Sequence, residues 1–259
     1  MSEDFSLFIQ QFKAISCVDL SHYNPTQIKR RLSVFQQKHQ LETYEKLIAA
    51  IKGDENLLRE CMKRLTINVT EFYRDPQYWD KLKNYISDLT RLRLPLRLWS
   101  AGCATGEEAY SLSALLNTMV PRNSWELLAS DLDSQALTTA QAGLYRKKSL
   151  KGLNTQQIAM MLTKVETDLY SVRDRVRDKV NFFKHDLLQD EYPTNLDVIL
   201  CRNVLIYFKE NTKKLVLARL AQAMNPGGVL FVGASEQVMN PEDYGLVNEN
   251  IFFYFKRSK

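Results

Sequence analysis

Two hydrophobic rhythms run along the 259-residue chain, and one replaces the other near residue 92. Before that point apolar positions recur at helical spacing in FSLFIQQFKAI, PTQIKRRLSVFQQK, ETYEKLIAAI and ENLLRECMKRL. Breaks carrying Asn24-Pro25 and Gly53 separate these runs. They predict three or four short helices in a small all-α domain over residues 1–66. Beyond residue 92 strand-like and helical runs alternate: LRLWSAG, GEEAYSLSALLNTMV, WELLASD, SQALTTAQAGLY, KVNFFKHD, LDVILCRN, TKKLVLARLAQAMN, GGVLFVG and IFFYF. Residues 67–259 are therefore expected to form an α/β domain on a mainly parallel, doubly wound sheet. Asn225-Pro226-Gly227-Gly228 reads as the turn between a helix and a buried strand.

Residues 146–180, RKKSLKGLNTQQIAMMLTKVETDLYSVRDRVRDKV, break the rhythm, being polar and highly charged. The part from Asp168 onward reads as short, solvated antiparallel strands, so a small β-subdomain inserted at the sheet edge is expected.

Composition is that of a globular protein, and no apolar run is long enough to span a bilayer. Nothing resembles a signal peptide, which makes the expected location cytoplasmic. Cys17, Cys61, Cys103 and Cys201 fit neither a C-x-x-C motif nor zinc-ligand spacing. They read as reduced thiols, and no metal site is expected. The net charge of +5 is mild, so partners must be argued from local charge.

The candidate chemistry begins at SAGCATGEEAYS, residues 100–111. A small-residue loop opening a helix commonly receives an anion. Here Glu107 and Glu108 follow where a phosphate binder would carry Lys, and neither the P-loop nor the G-x-G-x-x-G pattern is met. Alone, the loop is equally a tight turn whose acids suit the helix dipole. LLASDLD then places Asp131 and Asp133 where the second strand of a doubly wound sheet opens into its ligand crevice. A carboxylate there can accept from both ribose hydroxyls, although helix N-capping is the plainer role for Asp131. A tight turn, a ribose acceptor and further acid fit a nucleoside that carries positive charge. S-adenosylmethionine is the expected cofactor, with S-adenosylhomocysteine as product.

NVTEFYR (68–74), WSAGCATGEEAYS, ASDLD, HDLL, CRNVLIYF (201–208) and GGVLFVGASEQV together resemble the CheR family of chemotaxis receptor methyltransferases. The resemblance runs from the first helices to the last strand. It implies methyl transfer from S-adenosylmethionine to glutamate side chains of membrane chemoreceptors, by a bacterial cytoplasmic enzyme associated with receptor clusters. It also implies a Rossmann-like methyltransferase domain, a small all-α N-terminal domain and the inserted β-subdomain.

By the same resemblance, Asn68, Thr70 and Arg74 line the cofactor site. Arg74 is chemically suited to clamp the methionine carboxylate with two parallel bonds. The plainer readings are a surface pair with Glu71 or Asp75 for Arg74, and capping of a helix near Glu71 for Asn68 and Thr70. Glu108 is expected to contact the cofactor, Asp131 to take the ribose, and Asp186 and Leu187 to flank the adenine. Arg202 and Asn203 end a strand at the crevice, and Asn203 and Tyr207 are implied to stand near the transferring methyl. Arg74 and Tyr207 are thus the expected catalytic residues, with core packing beside Phe208 the plainer role for Tyr207. Asp186 stands where many members carry Asn, Gly102-Cys103 where Ala is frequent, and Ala109 where Pro is common. No general base stands out in the motifs. A glutamate acceptor needs none, because its reference pKa of about 4.3 leaves it ionised at neutral pH.

Between Asp19 and Glu42 the chain has no acid but carries Lys29, Arg30, Arg31 and Lys38 beside Ile28, Leu32 and Phe35. A solvated face accounts for the charge alone; the resemblance makes it the dock for an acidic receptor helix bundle. In some members of the family the β-subdomain also grips a receptor C-terminal peptide through an edge strand and a glycine-containing turn. Here LTKVETDLYSVRDRVRDKV has no glycine and carries edge-guarding charge, so no pentapeptide tether is expected. A monomer that neither binds nucleic acid nor inserts into membrane completes the expectation. Two alternatives stay open: a nucleic-acid methyltransferase of the same fold, and a non-catalytic S-adenosylmethionine-binding signalling module. The first would want a stronger basic surface and an Asn/Asp-Pro-Pro-aromatic tetrapeptide in place of CRNVLIYF.

Overall fold

The computed structural model describes residues 3–66 and 68–258, and the chain divides into two units. Ile67, at the expected domain boundary, lies outside the described residues. The first unit holds α1 (Glu3–Ser16), α2 (Pro25–His39), α3 (Tyr44–Gly53) and α4 (Glu55–Leu65), together with the later segment Tyr207–Lys214. Each of the last three helices starts at a side-chain cap: Asn24, followed by Pro25, then Thr43, then Asp54. Phe5, Phe8, Phe12, Leu32, Phe35, Leu47 and Ile51 are buried in this unit. The later segment joins it through backbone: Tyr23 and Phe208 form an antiparallel bridge, and the Asn24 N–H donates to the Tyr207 carbonyl at 2.8 Å.

The second unit opens with α5 (Trp79–Leu92), β1 (Leu96–Ala101), α6 (Glu107–Met119), β2 (Trp125–Asp131) and α7 (Ser134–Ala142). It continues through β3 (Leu144–Arg146), α8 (Thr155–Met161), β4 (Leu162–Glu166), β5 (Leu169–Val172), α9 (Asp174–Arg177) and β6 (Val180–Lys184). Last come β7 (Leu196–Cys201), the part of α10 (Glu210–Ala223) from Leu215 onward, β8 (Met224–Val232), β9 (Leu246–Asn250) and β10 (Phe253–Lys256). One sheet has the order β6-β2-β1-β7-β8-β10-β9, parallel through β8 and antiparallel at β10 and β9. Every residue of β7, and every residue of β1 but Arg97, is buried, which is why both read as nearly continuous apolar runs. The strand order reverses direction between β1 and β7, so a ligand crevice is expected beyond their C-terminal ends.

Three local readings change. Asn225–Gly228 is not a plain turn after a helix but a bulge within the paired segment: Leu196 pairs with Met224 and Val198 already with Val229. The inserted subdomain is a separate three-stranded sheet, β3-β5-β4, whose strands lie between Leu144 and Val172. Beyond it the stretch expected to be strand is a helical turn, α9, with Val176 buried, and Val180 already enters the main sheet. The four cysteines are free, Cys17 exposed and the others buried. No helix among the described residues is long and apolar enough to cross a membrane.

Candidate active site

The crevice residues described first all belong to the second unit. After β1 the chain passes through Gly102 (φ 82°), Ala104 (φ 48°) and Gly106 (φ 93°) into α6. A Cβ on Gly102 would collide with Val204 Cγ2, and one on Gly106 would meet Ala140 Cβ at 2.8 Å. Both positions therefore need glycine for conformation and for space. The Ala104 N–H donates to Asp131 Oδ2 at 2.8 Å and the Asp133 N–H to Asp131 Oδ1 at 2.9 Å. Asp131 thus ties the glycine loop to the end of β2. The helix cap expected of it falls instead to Asp133, which accepts from the Gln135 and Ala136 N–H groups. Burial raises the Asp131 pKa, and the bonds it accepts oppose the rise.

The acids opening α6 are both buried and lie in its first turn, where the helix dipole favours negative charge. Glu108 accepts from Ser100 Oγ at 2.8 Å and faces Arg202 Nη1 at 3.5 Å. Burial raises its pKa, while Arg202, Ser100 and Arg74 pull it back. Glu107 accepts from Thr105 Oγ1 at 2.7 Å, and burial pushes its pKa up to about 7.

Arg202, expected to touch cofactor, has a side chain 1 % exposed and is engaged within the protein. Its Nη2 lies 2.6 Å from Asp75 Oδ2, and its guanidinium stacks 4.4 Å from the Phe231 ring centre. It therefore joins the NVTEFYR segment to Glu108, a buried network whose breakage would strand a charge. That segment contains no helix near Glu71: Tyr73 and Asp75 have φ of 48° and 55°, and the Tyr73 N–H donates to Ser111 Oγ at 2.9 Å. There is accordingly no helix for Asn68 or Thr70 to cap, and Asp75 pairs with Arg202 rather than Arg74. Arg74 and Thr70 are both half-buried, and an Arg74 Nη1–Val69 carbonyl contact of 3.4 Å is long for a hydrogen bond.

Asn203, just past β7, has φ of 59°, and its buried Oδ1 has no hydrogen-bond partner among the described residues. Its N–H donates to Glu236 Oε2 at 2.6 Å. Asp186 accepts from the Leu188 N–H and from Gln189 Nε2, each at 2.8 Å, and Leu187 beside it is buried.

The other expected residues lie in the first unit. Asn68 is half-buried there. Tyr207 lies against Arg31, whose guanidinium is 4.6 Å from the ring centre and hydrogen-bonds the side chain. The expected docking face is accordingly divided. Arg31 is buried and donates to the Leu65 carbonyl, because Ile28, Arg31, Leu32 and Phe35 share one inward stripe. Burial lowers the Arg31 pKa. Lys38 pairs with Glu60 of α4 at 2.5 Å, and Lys29 Nζ lies 4.7 Å over the Phe5 ring. Arg30 faces solvent, as do Lys63 and Arg64 of α4. The sequence pattern assigns no role to Glu236, Lys63 or Arg64, and to Asp75 only a pairing with Arg74, although Glu236 lies within the quoted GGVLFVGASEQV.

The family model described as CheR methyltransferase, SAM binding domain, matches residues 68–253, and that described as CheR methyltransferase, all-alpha domain, matches residues 3–66. The chain belongs to the CheR methyltransferase family. A chemotaxis protein methyltransferase of Listeria monocytogenes is 37% identical to this CheR-family chain over 99% of it and 98% of the relative. Those of Salmonella typhimurium and Pseudomonas aeruginosa are 33% and 30% identical, over 77% and 94% of this chain and 72% and 94% of theirs. This CheR-family protein is an S-adenosylmethionine-dependent methyltransferase of chemotaxis. The residues present fit that cofactor: an orphan acceptor at Asn203, a glycine loop that leaves backbone accessible, and a carboxylate at the end of β2.

Proposed function

We propose that this methyltransferase esterifies glutamate side chains on the cytoplasmic helices of membrane chemoreceptors. Bound S-adenosylmethionine supplies an activated methyl on a sulfonium. Arg74 would hold its carboxylate, Asp131 its ribose hydroxyls and Asp186 with Leu187 its adenine, with Asn203 and Tyr207 beside the methyl. Thr70 and Asn68 belong to the same lining, Glu108 supports it, and Arg202 acts behind Glu108.

One observation carries the choice of acceptor. Three acids of the crevice are each bonded to a protein donor: Glu107 to Thr105, Glu108 to Ser100 and Arg202, Asp131 to two backbone N–H groups. Among the described residues these three acids are thus committed to structural bonds, which disfavours them as general bases for an alcohol or amine acceptor. An ionised glutamate needs only alignment and exclusion of water.

Residues 1–66 serve as the docking domain, residues 67–259 as the catalytic domain and 146–180 as its insertion. The dock is centred on Arg30, with Lys29 and the exposed Lys63 and Arg64 of α4, and it meets an acidic receptor bundle. Arg31 and Lys38 contribute little to it, being engaged within the protein. The same engagement disfavours a nucleic-acid grip. The protein works as a cytoplasmic monomer at receptor clusters, without membrane insertion and without the peptide tether. Against a tether, the outer strand β4 carries a register shift between Lys164 and Glu166 that leaves Val165 exposed, and a bulge blunts an edge.

Incubation with methyl-labelled cofactor and either receptor cytoplasmic fragments or RNA tests the reading. Base-labile label on receptor protein is expected; base-stable label, or label in RNA, overturns it.

A further inference from the structure

Glu236 is a buried carboxylate with no part in the chemistry described above. Its Oε2 accepts from the Asn203 N–H at 2.6 Å and from the Gly233 N–H at 2.8 Å, and its Oε1 from the Ile206 N–H at 3.1 Å. The Leu205 backbone bonds to it as well. One side chain thus gathers backbone donors from the loops that follow two neighbouring parallel strands, β7 and β8. An ionised carboxylate suits this because it accepts at several lone-pair sites and donates at none. Space enforces the arrangement: a Cβ on Gly233 would lie 2.6 Å from Glu236 Oε2, 2.8 Å from Asn203 N and 3.0 Å from Asn203 Nδ2.

The residue so gripped is Asn203. Its φ of 59° is left-handed, a conformation that persists in a non-glycine residue where surrounding bonds over-determine it. Its buried Oδ1 is left without a partner among the described residues, although buried acceptors are generally bonded. Bonding that fixes the backbone while leaving the side-chain oxygen unmet presents this oxygen to a ligand of positive polarity.

We infer that Glu236 is a positioning residue for methyl transfer, holding residues 203–206 so that Asn203 Oδ1 faces the positively polarised methyl–sulfonium end of the cofactor. The inference rests on the placement of Asn203 near the methyl proposed above. S-adenosylhomocysteine lacks both the methyl and the charge, so a positioning role and a merely structural one separate by ligand.

The test is a double-mutant cycle of Glu236→Gln and Asn203→Ala, with kcat on receptor fragments and calorimetric Kd for both S-adenosylmethionine and S-adenosylhomocysteine. In the otherwise native protein Glu236→Gln should lower kcat at least tenfold and weaken S-adenosylmethionine more than S-adenosylhomocysteine. In the Asn203→Ala background the same substitution should change kcat less than twofold. Equal losses in both backgrounds, or equal weakening of both ligands, would show that Glu236 only holds the fold and would overturn the inference. Asn203→Ala without effect on kcat or affinity would instead remove the placement of Asn203, and the inference with it. If the Gln variant melts below the assay temperature, Glu236→Asp takes its place in the cycle, since it keeps the charge but draws it back by one methylene. The same pattern of losses is then expected, and the same equalities overturn the inference.

Discussion

Replacing Glu107 by Gln is expected to stabilise the protein above neutral pH and to flatten its stability profile. The carboxyl is 5% exposed and hydrogen-bonded to the Thr105 hydroxyl at 2.7 Å. Burial raises its pKa from 4.5 to about 7, so the folded state holds the proton more tightly than the unfolded chain does. The stability tied to that proton is fully present below pH 4.5 and is lost as pH rises through about 7. At about 1.4 kcal/mol per pH unit, the interval from 4.5 to about 7 amounts to about 3 kcal/mol by pH 8. Gln keeps the shape and can still bond to Thr105, but carries no charge at any pH. Thermal melts of both proteins from pH 5 to pH 9 should therefore nearly coincide at the acid end and separate steadily toward pH 8. At about 2–4 °C for each kcal/mol in a domain of this size, the gap at pH 8 should reach about 6–12 °C in favour of Gln. Parallel melting curves across the whole range would show that the buried carboxyl carries no ionisation penalty, and the reasoning would fail.

Arg74→Ala should weaken S-adenosylmethionine binding by at least about 1.5 kcal/mol, the low end for a charge-assisted bond; unchanged calorimetric affinity in a folded variant refutes the clamp. Arg31→Glu should destabilise the helical unit by about 3 kcal/mol or more, since it sets an acid where a buried cation meets the Leu65 carbonyl, and an unshifted melt would return Arg31 to the surface. Arg30→Glu with Arg64→Glu should leave the melt and cofactor affinity alone but slow receptor methylation, and the wild-type rate should fall with salt because exposed charges are screened over about 8 Å at physiological ionic strength. Rates indifferent to both reversal and salt remove the dock. A receptor C-terminal pentapeptide should show no saturable binding below about 100 μM, whereas a low-micromolar isotherm would establish a tether.

What the sequence revealed was local. β1, β2 and β7 declare themselves because a strand covered on both faces is nearly all apolar. The helix start at Asn24-Pro25 is legible because the Asn24 side chain caps an N–H only two places away, whereas the cap of α7 sits at Asp133 rather than at the expected Asp131. β9, by contrast, is LVNEN, an antiparallel edge strand with two apolar residues, and periodicity cannot separate it from a loop. The amphipathic α5 is legible in WDKLKNYISDLTRL, whose Trp79, Leu82, Ile86 and Leu89 are buried. The burial of Arg31 was also readable, since Ile28, Leu32 and Phe35 flank it at helical spacing. Pairing was not. Lys38 meets Glu60, Arg202 meets Asp75 and Asn203 meets Glu236 across long stretches of chain, and only the fold brings these partners together.

These long-range pairs answer an electrostatic difficulty built into the proposed reaction. The crevice holds several buried acids, which suits a cofactor bearing positive charge, yet the proposed acceptor arrives as a carboxylate and would be repelled by bare acid. Each acid is quietened by fixed protein donors: Asp131 by two backbone N–H groups, Glu236 by the loops after β7 and β8, Glu108 by Ser100 and Arg202. Burial pushes all three pKa values upward while these donors hold them down. Arg202 is the pivotal group, because its one charge faces both Glu108 and Asp75. Removing it would leave Glu108 buried without its ion pair, so that carboxyl would take up a proton more readily. A variant such as Arg202→Met should accordingly lose cofactor affinity through the altered crevice charge, with the loss growing as pH falls toward the raised Glu108 pKa. A pH-independent loss in calorimetric titrations would mean that Arg202 touches the cofactor directly, as the sequence alone suggested.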